Sequence, residues 1–305
     1  MTEAQLKITN KFDVPQTLMT LANRDYYSKG KADYSVTEII SSPRIKRLQA
    51  KHWQEMEQDV ADMLWSLMGS ALHVVAERGQ TDNHITEERL TVEIDKVTLS
   101  GAIDLQHIVD NVCEITDYKF TSVWSIMNDK PEWVTQQNIY AWMVHKVKGV
   151  DVRAVKICAL LRDWNRRDVG KEGYPPAPIQ VVELPLWPFE KTETYIKERI
   201  ALHQEAKFLA DMGDELPFCT DEDRWVRGDK WAVKREGRKT AIRVFESEEE
   251  ANELAKKEKG YVEYRKGEPI RCTGDYCSVS KWCSQYQQEV SRSHEGGGVR
   301  SEGGS

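Results

Sequence analysis

Two carboxylates and an ammonium stand inside the apolar alternation of residues 100–120, SGAIDLQHIVDNVCEITDYKF. Asp104 closes a G-x-x-D pattern that begins at Gly101, and Asp117 with Lys119 forms D-x-K thirteen residues later. Alternation places Asp104 on one strand face with Ala102 and Gln106, and puts Asp117 and Lys119 beside Ile115 on one face of the next strand. If the two strands are neighbours, the carboxylates converge. Two clustered carboxylates repel when dry, and a divalent cation removes that cost. Lys119 projects to the same side as Asp117, where it can hold a water or a developing phosphate charge.

Two flanking patterns extend this set. Upstream, Gly69 and His73 give G-x-x-x-H within a helical stretch. Downstream, Gln136 and Tyr140 give Q-x-x-x-Y, an i and i+4 pair that shares one helix face. The ordered set G-x-x-x-H, G-x-x-D, D-x-K and Q-x-x-x-Y resembles the PD-(D/E)XK nuclease superfamily, in particular its RecB-type exonuclease branch, over about residues 35–210. The resemblance implies a metal-dependent deoxyribonuclease, an exonuclease by its branch. Asp104 and Asp117 would be the central metal ligands and His73 a further one. Lys119 would orient or activate the attacking water, and Gln136 and Tyr140 would support the site and the DNA strand. Asp117 stands where many members carry Glu. The chemistry agrees, because one or two Mg²⁺ or Mn²⁺ ions both neutralise a phosphodiester and generate the nucleophile. Hard oxygen ligands suit these metals, and a histidine favours tolerance of Mn²⁺. A catalytically inactive nuclease-fold protein that binds or assembles on DNA is the alternative, and the filled catalytic positions argue against it.

A second constellation lies far along the chain. Cys272, Cys277 and Cys283 fall within CTGDYCSVSKWC, and Cys219 stands in LPFCTDEDRW. Four thiolates can close a tetrahedral zinc site or hold an iron–sulfur cluster. The steps of four and five residues between successive cysteines are loose for a zinc ribbon. Some members of the resembled branch hold a [4Fe–4S] cluster with three C-terminal cysteines and one distant partner. The resemblance therefore adds weight to iron–sulfur, with Zn²⁺ still open. Cys113 and Cys158 sit in strand patterns and read as buried small hydrophobes.

These residues need elements to position them. Ser35 and Glu38 form a capping box that starts a helix, and a longer helical pattern runs over 53–79. Three strand-like runs follow, ERLTVEID, VTLSGAIDLQHIV and VCEITDYKF, with turns at Asp95-Lys96 and Asp110-Asn111. A helix with Pro131 near its start, two more strands and a helix over 188–213 complete the order. The expected class is α/β: a PD-(D/E)XK restriction-endonuclease-like core, a mixed sheet flanked by helices, with a small C-terminal α+β cysteine-cluster unit. The expected domains are an N-terminal extension 1–34, a nuclease core 35–212, an accessory unit 213–287 and a disordered tail 288–305.

Composition sets the remaining bounds. The 305 residues carry a net charge of -7 and are 30% charged and 40% hydrophobic, a soluble globular balance. A net negative charge argues against a protein that coats nucleic acid generally, and leaves room for a local basic groove. Arg162, Trp164, Arg166 and Arg167 are candidate DNA contacts, since single-strand grooves combine cations with stacking rings. No apolar run approaches the roughly 20 residues of a membrane helix, and the first residues do not read as a secretory signal. A cytoplasmic location without membrane association is therefore expected. The combination also resembles phage or mobile-element exonucleases that resect ends. That likeness implies DNA ends, single- or double-stranded, as substrate in recombination or repair. It also implies a recombinase, annealing protein or helicase as partner.

Overall fold

The computed structural model describes residues 7–24 and 29–295, and the chain divides into two compact units. One comprises Met1–Ser41 and Trp53–Gly213, the other Ser42–His52 and Asp214–Ser305.

The first unit begins with β1 (Lys7–Thr9), α1 (Gln16–Arg24), β2 (Tyr34–Ser35) and α2 (Val36–Ile39). Ser35 caps α2 through its hydroxyl, which accepts from the Glu38 N–H at 3.1 Å, as the capping box predicts. The next helix, α3 (Pro43–His52), lies inside the 35–212 stretch that the sequence assigns to the core, yet it groups with the second unit. The helical pattern over 53–79 is interrupted. Residues 57–59 form β3 (Glu57–Asp59), parallel to β1, and only Leu64–Glu77 makes the α-helix α4. The Asp59 carboxylate accepts from the Lys11 and Ala61 N–H groups and the Thr9 hydroxyl, which fixes the break. A period-based reading could not see this long-range pairing.

Three long strands follow: β4 (His84–Ile94), β5 (Val97–Val109) and β6 (Val112–Thr121). Asp95-Lys96 and Asp110-Asn111 all have positive φ, between 48° and 66°, as two-residue hairpin turns of the right twist require. The short α5 (Val123–Met127) leads to α6 (Pro131–Lys148), where Pro131 occupies the first turn and Gly149 ends the helix at φ 66°. β7 (Asp151–Leu161), β8 (Ile179–Leu184) and α7 (Phe189–Met212) complete the unit. The sheet order is β2-β5-β6-β7-β8 with β4 on the other edge of β5. β2 and β5 run parallel, as do β6 and β7, and the remaining pairs are antiparallel. The fold is thus the mixed α/β sheet flanked by helices that the element order predicts.

The core lies between this sheet and α6, with Leu99, Ile103, Ile115, Ile139, Met143 and Ile196 fully buried. His203 of α7 is buried beside it, with Nε2 3.3 Å from the Ile39 carbonyl and 3.2 Å from that of Ser41. Burial, then the Arg199 charge, lowers its pKa to about 4. Below the unfolded pKa of about 6.5 the unfolded chain binds a proton that the native imidazole refuses. Stability should therefore fall as pH drops from about 6.5 towards 4, by about 3 kcal/mol from this group. Chemical denaturation at pH 7.5 and pH 4.5 checks this. His203→Gln should lose less stability on acidification than the wild type.

The second unit contains α3, a three-stranded antiparallel sheet and short helices. Its strands are β9 (Lys230–Lys234), β10 (Arg243–Phe245) and β11 (Tyr261–Arg265), in the order β10-β9-β11. Between β10 and β11, α8 (Glu248–Glu258) is capped by Ser247 and packs Ala251 and Ala255 on Val233. The short α9 (Ile270–Thr273) and α10 (Ser284–Glu295) follow. α10 extends into the stretch 288–305 expected as a tail, as far as residue 295, and 296–305 fall outside the described residues. Among the described residues, no helix is long and apolar enough to cross a membrane.

Candidate metal centre and cysteine cavity

A fork in the sheet creates the first site. One edge of β5 pairs with β2 at Leu99 and Ser100 and with β6 only from Leu105 onward. Among the described residues no strand pairs with that edge at 101–104. Asp104 lies at the fork, one step beyond the last β5–β6 pair, Leu105↔Thr116. The next residue of β6 is Asp117, so the register converges the two carboxylates. Asp104 is 8% exposed and Asp117 2%. Asp104 Oδ2 accepts from the Tyr118 N–H at 2.8 Å. Burial first, and the Asp117 charge second, push the Asp104 pKa up to about 7.

Each neighbouring element adds a donor or a clamp. From α4, His73 Nδ1 lies 2.9 Å from Glu87 Oε1 and 3.6 Å from Asp104 Oδ2. The Glu87 contact leads the effects that raise the His73 pKa. Ligand atoms of His73, Glu87 and Asp104 all lie within 4.8 Å of one another, so the group can hold a divalent metal. On β6, Lys119 Nζ pairs with the buried Asp117 Oδ2 at 2.5 Å. From α6, Gln137 Nε2 donates to Asp117 Oδ1 at 3.1 Å, while Gln136 Nε2 donates to the Tyr140 hydroxyl at 3.0 Å. Two carboxylates buried side by side fit a hard cation, which would offset their mutual repulsion.

The motif glycines separate by environment. A Cβ on Gly101 would meet Tyr140 Cε1 at 2.7 Å, so G-x-x-D and Q-x-x-x-Y are physically joined by the close approach of α6 to β5. A Cβ on Gly69 would meet nothing within 4 Å, and the structure gives no reason for glycine there.

Two residues at this site are absent from the sequence-derived set. Gln137 is the neighbour of Gln136, and helix phase alone decides which of them reaches Asp117. Glu87 carried a usable signal. Counting back equally from the Asp95-Lys96 turn puts it opposite Asp104. The structure skips that pair between Thr86↔Leu105 and Glu88↔Ile103, and Glu87 takes φ 50°. Such a local irregularity re-aims a side chain.

Of the candidate DNA contacts, Arg162 lies over the Trp65 ring at 4.7 Å, and Arg166 and Arg167 sit exposed in a 3₁₀ turn. Trp164 instead packs beside Val123, Ile157 and Leu161 and donates its Nε1–H to the Pro175 carbonyl at 2.9 Å.

In the second unit, Cys219, Cys272, Cys277 and Cys283 all line one small pocket, with Arg44, Arg224 and Arg271 on its walls. Two of the thiols have hydrogen-bonding neighbours. Ser42 Oγ is 3.1 Å from Cys219 Sγ, and Arg44 Nε donates to Cys283 Sγ at 3.3 Å. The Arg224 guanidinium and the Val279 N–H lie close enough to Cys272 and Cys277 to favour their thiolates. Burial pushes the Cys219 thiol up to about 11 and raises those of Cys272 and Cys277. A bound metal ion would offset that penalty on the thiolates. Among the described residues no three of these sulfurs lie within 4.8 Å of one another. Tetrahedral zinc at Zn–S of about 2.3 Å would bring sulfurs to about 3.8 Å. Cys113 and Cys158 remain free thiols in strand positions, Cys113 fully buried and Cys158 half-buried.

No family model matches this chain, and no curated protein does. Among solved structures, SSO0001 is similar over 61% of this chain and 85% of its own, with a TM-score of 0.42 and 15% identity. A protein from Eubacterium rectale named "Putative exonuclease" is similar over 51% of this chain and 58% of its own, with a TM-score of 0.28 and 13% identity. Likeness this distant leaves function to be argued from the residues themselves.

Proposed function

We propose that this protein is a metal-dependent deoxyribonuclease of the PD-(D/E)XK superfamily, acting as an exonuclease on DNA ends. The observation that carries this reading is the sheet fork, where His73, Glu87, Asp104 and Asp117 meet beside Lys119. A Mg²⁺ or Mn²⁺ ion held by these residues would neutralise phosphate charge and make bound water a nucleophile near neutral pH. The protein's own groups have distinct tasks. Glu87 fixes the His73 ring, and Gln137 fixes the Asp117 carboxylate. Lys119, paired with Asp117, is placed to orient a water and to stabilise charge growing on the phosphate. Gln136 and Tyr140 buttress α6 against β5.

The cysteine cavity is proposed to hold a [4Fe–4S] cluster. Four cysteines around one pocket, spaced four and five residues apart in the C-terminal run, support that reading, and Zn²⁺ is the alternative.

The test of the enzymatic reading is digestion of end-labelled single- and double-stranded DNA with Mg²⁺ or Mn²⁺. Wild type should release nucleotides from an end, and Lys119→Ala should lose at least about a hundredfold in rate while still binding DNA. Cleavage that survives Lys119→Ala at the wild-type rate would sink the assignment. Absence of cleavage on every substrate would return the protein to the non-catalytic, DNA-binding class.

A further inference from the structure

α4 is an unusually apolar helix that buries little of itself. Of its fourteen residues only Leu67 is fully buried, and Leu64, Trp65 and Met68 are 45–49% exposed. Trp65 is not an isolated exposed ring. Its centroid lies 6.1 Å from that of Phe120, and the Arg162 guanidinium covers it at 4.7 Å. Phe120 follows Lys119 directly on β6, and Arg162 donates its backbone N–H to the Thr121 carbonyl just past the end of β7. This group therefore stands at the carboxyl ends of two parallel strands, where open α/β sheets place their ligands. Where the chain leaves β6, Trp124 repeats the pattern: it is 57% exposed, with Lys130 Nζ 4.6 Å from its ring centroid.

The relation of this group to the metal centre is fixed by two elements. His73 packs edge-on near Tyr118 at 6.5 Å, and Trp65 packs near Phe120, so α4 and β6 run side by side. Eight residues of helix separate Trp65 from His73, about 12 Å at about 1.5 Å per residue. That distance spans three to four stacked nucleotides at about 3.4 Å each. An exposed indole joined to a guanidinium suits one chemical class of ligand, a base with its attached phosphate. The base needs a free face, which an unpaired strand offers at every nucleotide and a duplex only at its terminal pair.

We infer that Trp65, backed by Phe120 and Arg162, is a stacking platform that holds single-stranded DNA about three nucleotides from the metal centre. This rests on the nuclease reading for its ligand and deepens it by assigning single-stranded ends as the preferred substrate.

Binding of labelled oligo(dT) and of a blunt hairpin duplex to the full chain, measured by anisotropy in EDTA, tests it. Trp65→Ala should weaken oligo(dT) binding roughly tenfold and leave duplex binding within about twofold, whereas Trp65→Phe should stay near wild type. Arg162→Gln should weaken binding and reduce the salt slope by about one. Unchanged oligo(dT) affinity in both Trp65→Ala and Arg162→Gln would overturn the inference. Equal losses on oligo(dT) and duplex would overturn the strand preference. The two readings fail separately. A wild type that binds oligo(dT) through Trp65 but cleaves nothing with Mn²⁺ sinks the nuclease reading and keeps the platform. A wild type that cleaves while Trp65→Ala binds normally does the reverse.

Discussion

Asp104→Asn should stabilise the metal-free protein while abolishing the proposed metal-dependent cleavage. Asp104 and Asp117 are buried together, and a like-charged buried pair costs folding energy that a neutral amide avoids. The expected gain is about 1–2 kcal/mol, within the range for relief of a strained functional site. Loss of a ligand to a cation worth several kcal/mol in the transition state should lower the cleavage rate about a thousandfold or more. Thermal melts with and without Mn²⁺ separate the two effects. Wild type should start lower in EDTA and rise with Mn²⁺, because a ligand that binds only the native state stabilises it. Asp104→Asn should start higher and respond little. A variant that melts below wild type in EDTA would show that the carboxylate is held by something other than a cation.

Arg44→Ala should have the largest effect on the second unit. The Arg44 side chain is 2% exposed and meets five acceptors. It donates to Cys283 Sγ, to the Leu216 and Pro217 carbonyls, to Glu215 at 2.7 Å and to Ser284. Truncation leaves the buried Cys283 sulfur and the half-buried Leu216 and Pro217 carbonyls without this donor, which costs about 3 kcal/mol. Arg44→Lys restores one charge but not the planar fork, so it should recover only part of the loss. Denaturant unfolding of anaerobically purified protein reads the stability, and absorption near 400 nm reads any iron–sulfur cluster, a band expected from thiolate-to-iron ligation. A full-strength band in Arg44→Ala, with unchanged unfolding, would refute this role. These contacts join residues 171 and 240 apart in the chain.

Much of the candidate metal site's geometry was legible in the residues themselves. Strand alternation, the two turn dipeptides and the spacing of Asp104 from Asp117 follow from local rules, because a side-chain period of two and a two-residue turn fix which residues meet. The cysteines were legible as a set for a similar reason, since three lie within twelve residues. Gln137 was not legible: whether it or Gln136 reaches Asp117 depends on how α6 lies against Gly101, a packing fact with no local signature. Glu87 lay within reach of a register count, yet the positive φ that turns it towards His73 is set by the fold.

Helix α3 shows the same division at larger scale. Its sequence encoded a helix, but its grouping with the cysteine unit depends on Arg44 meeting residues near 215 and 283. The break at β3 likewise depends on strand β1, nearly fifty residues earlier. What the sequence determined by itself was the chemistry available, the hairpins and the helix caps, because those interactions span a few residues. The tertiary structure alone decided the opening of β5 from β6, the gathering of four thiols around the buried Arg44 and the exposure of Trp65 beside Arg162. Each of these needs chain segments far apart in sequence to be brought together, and only long-range packing energy does that.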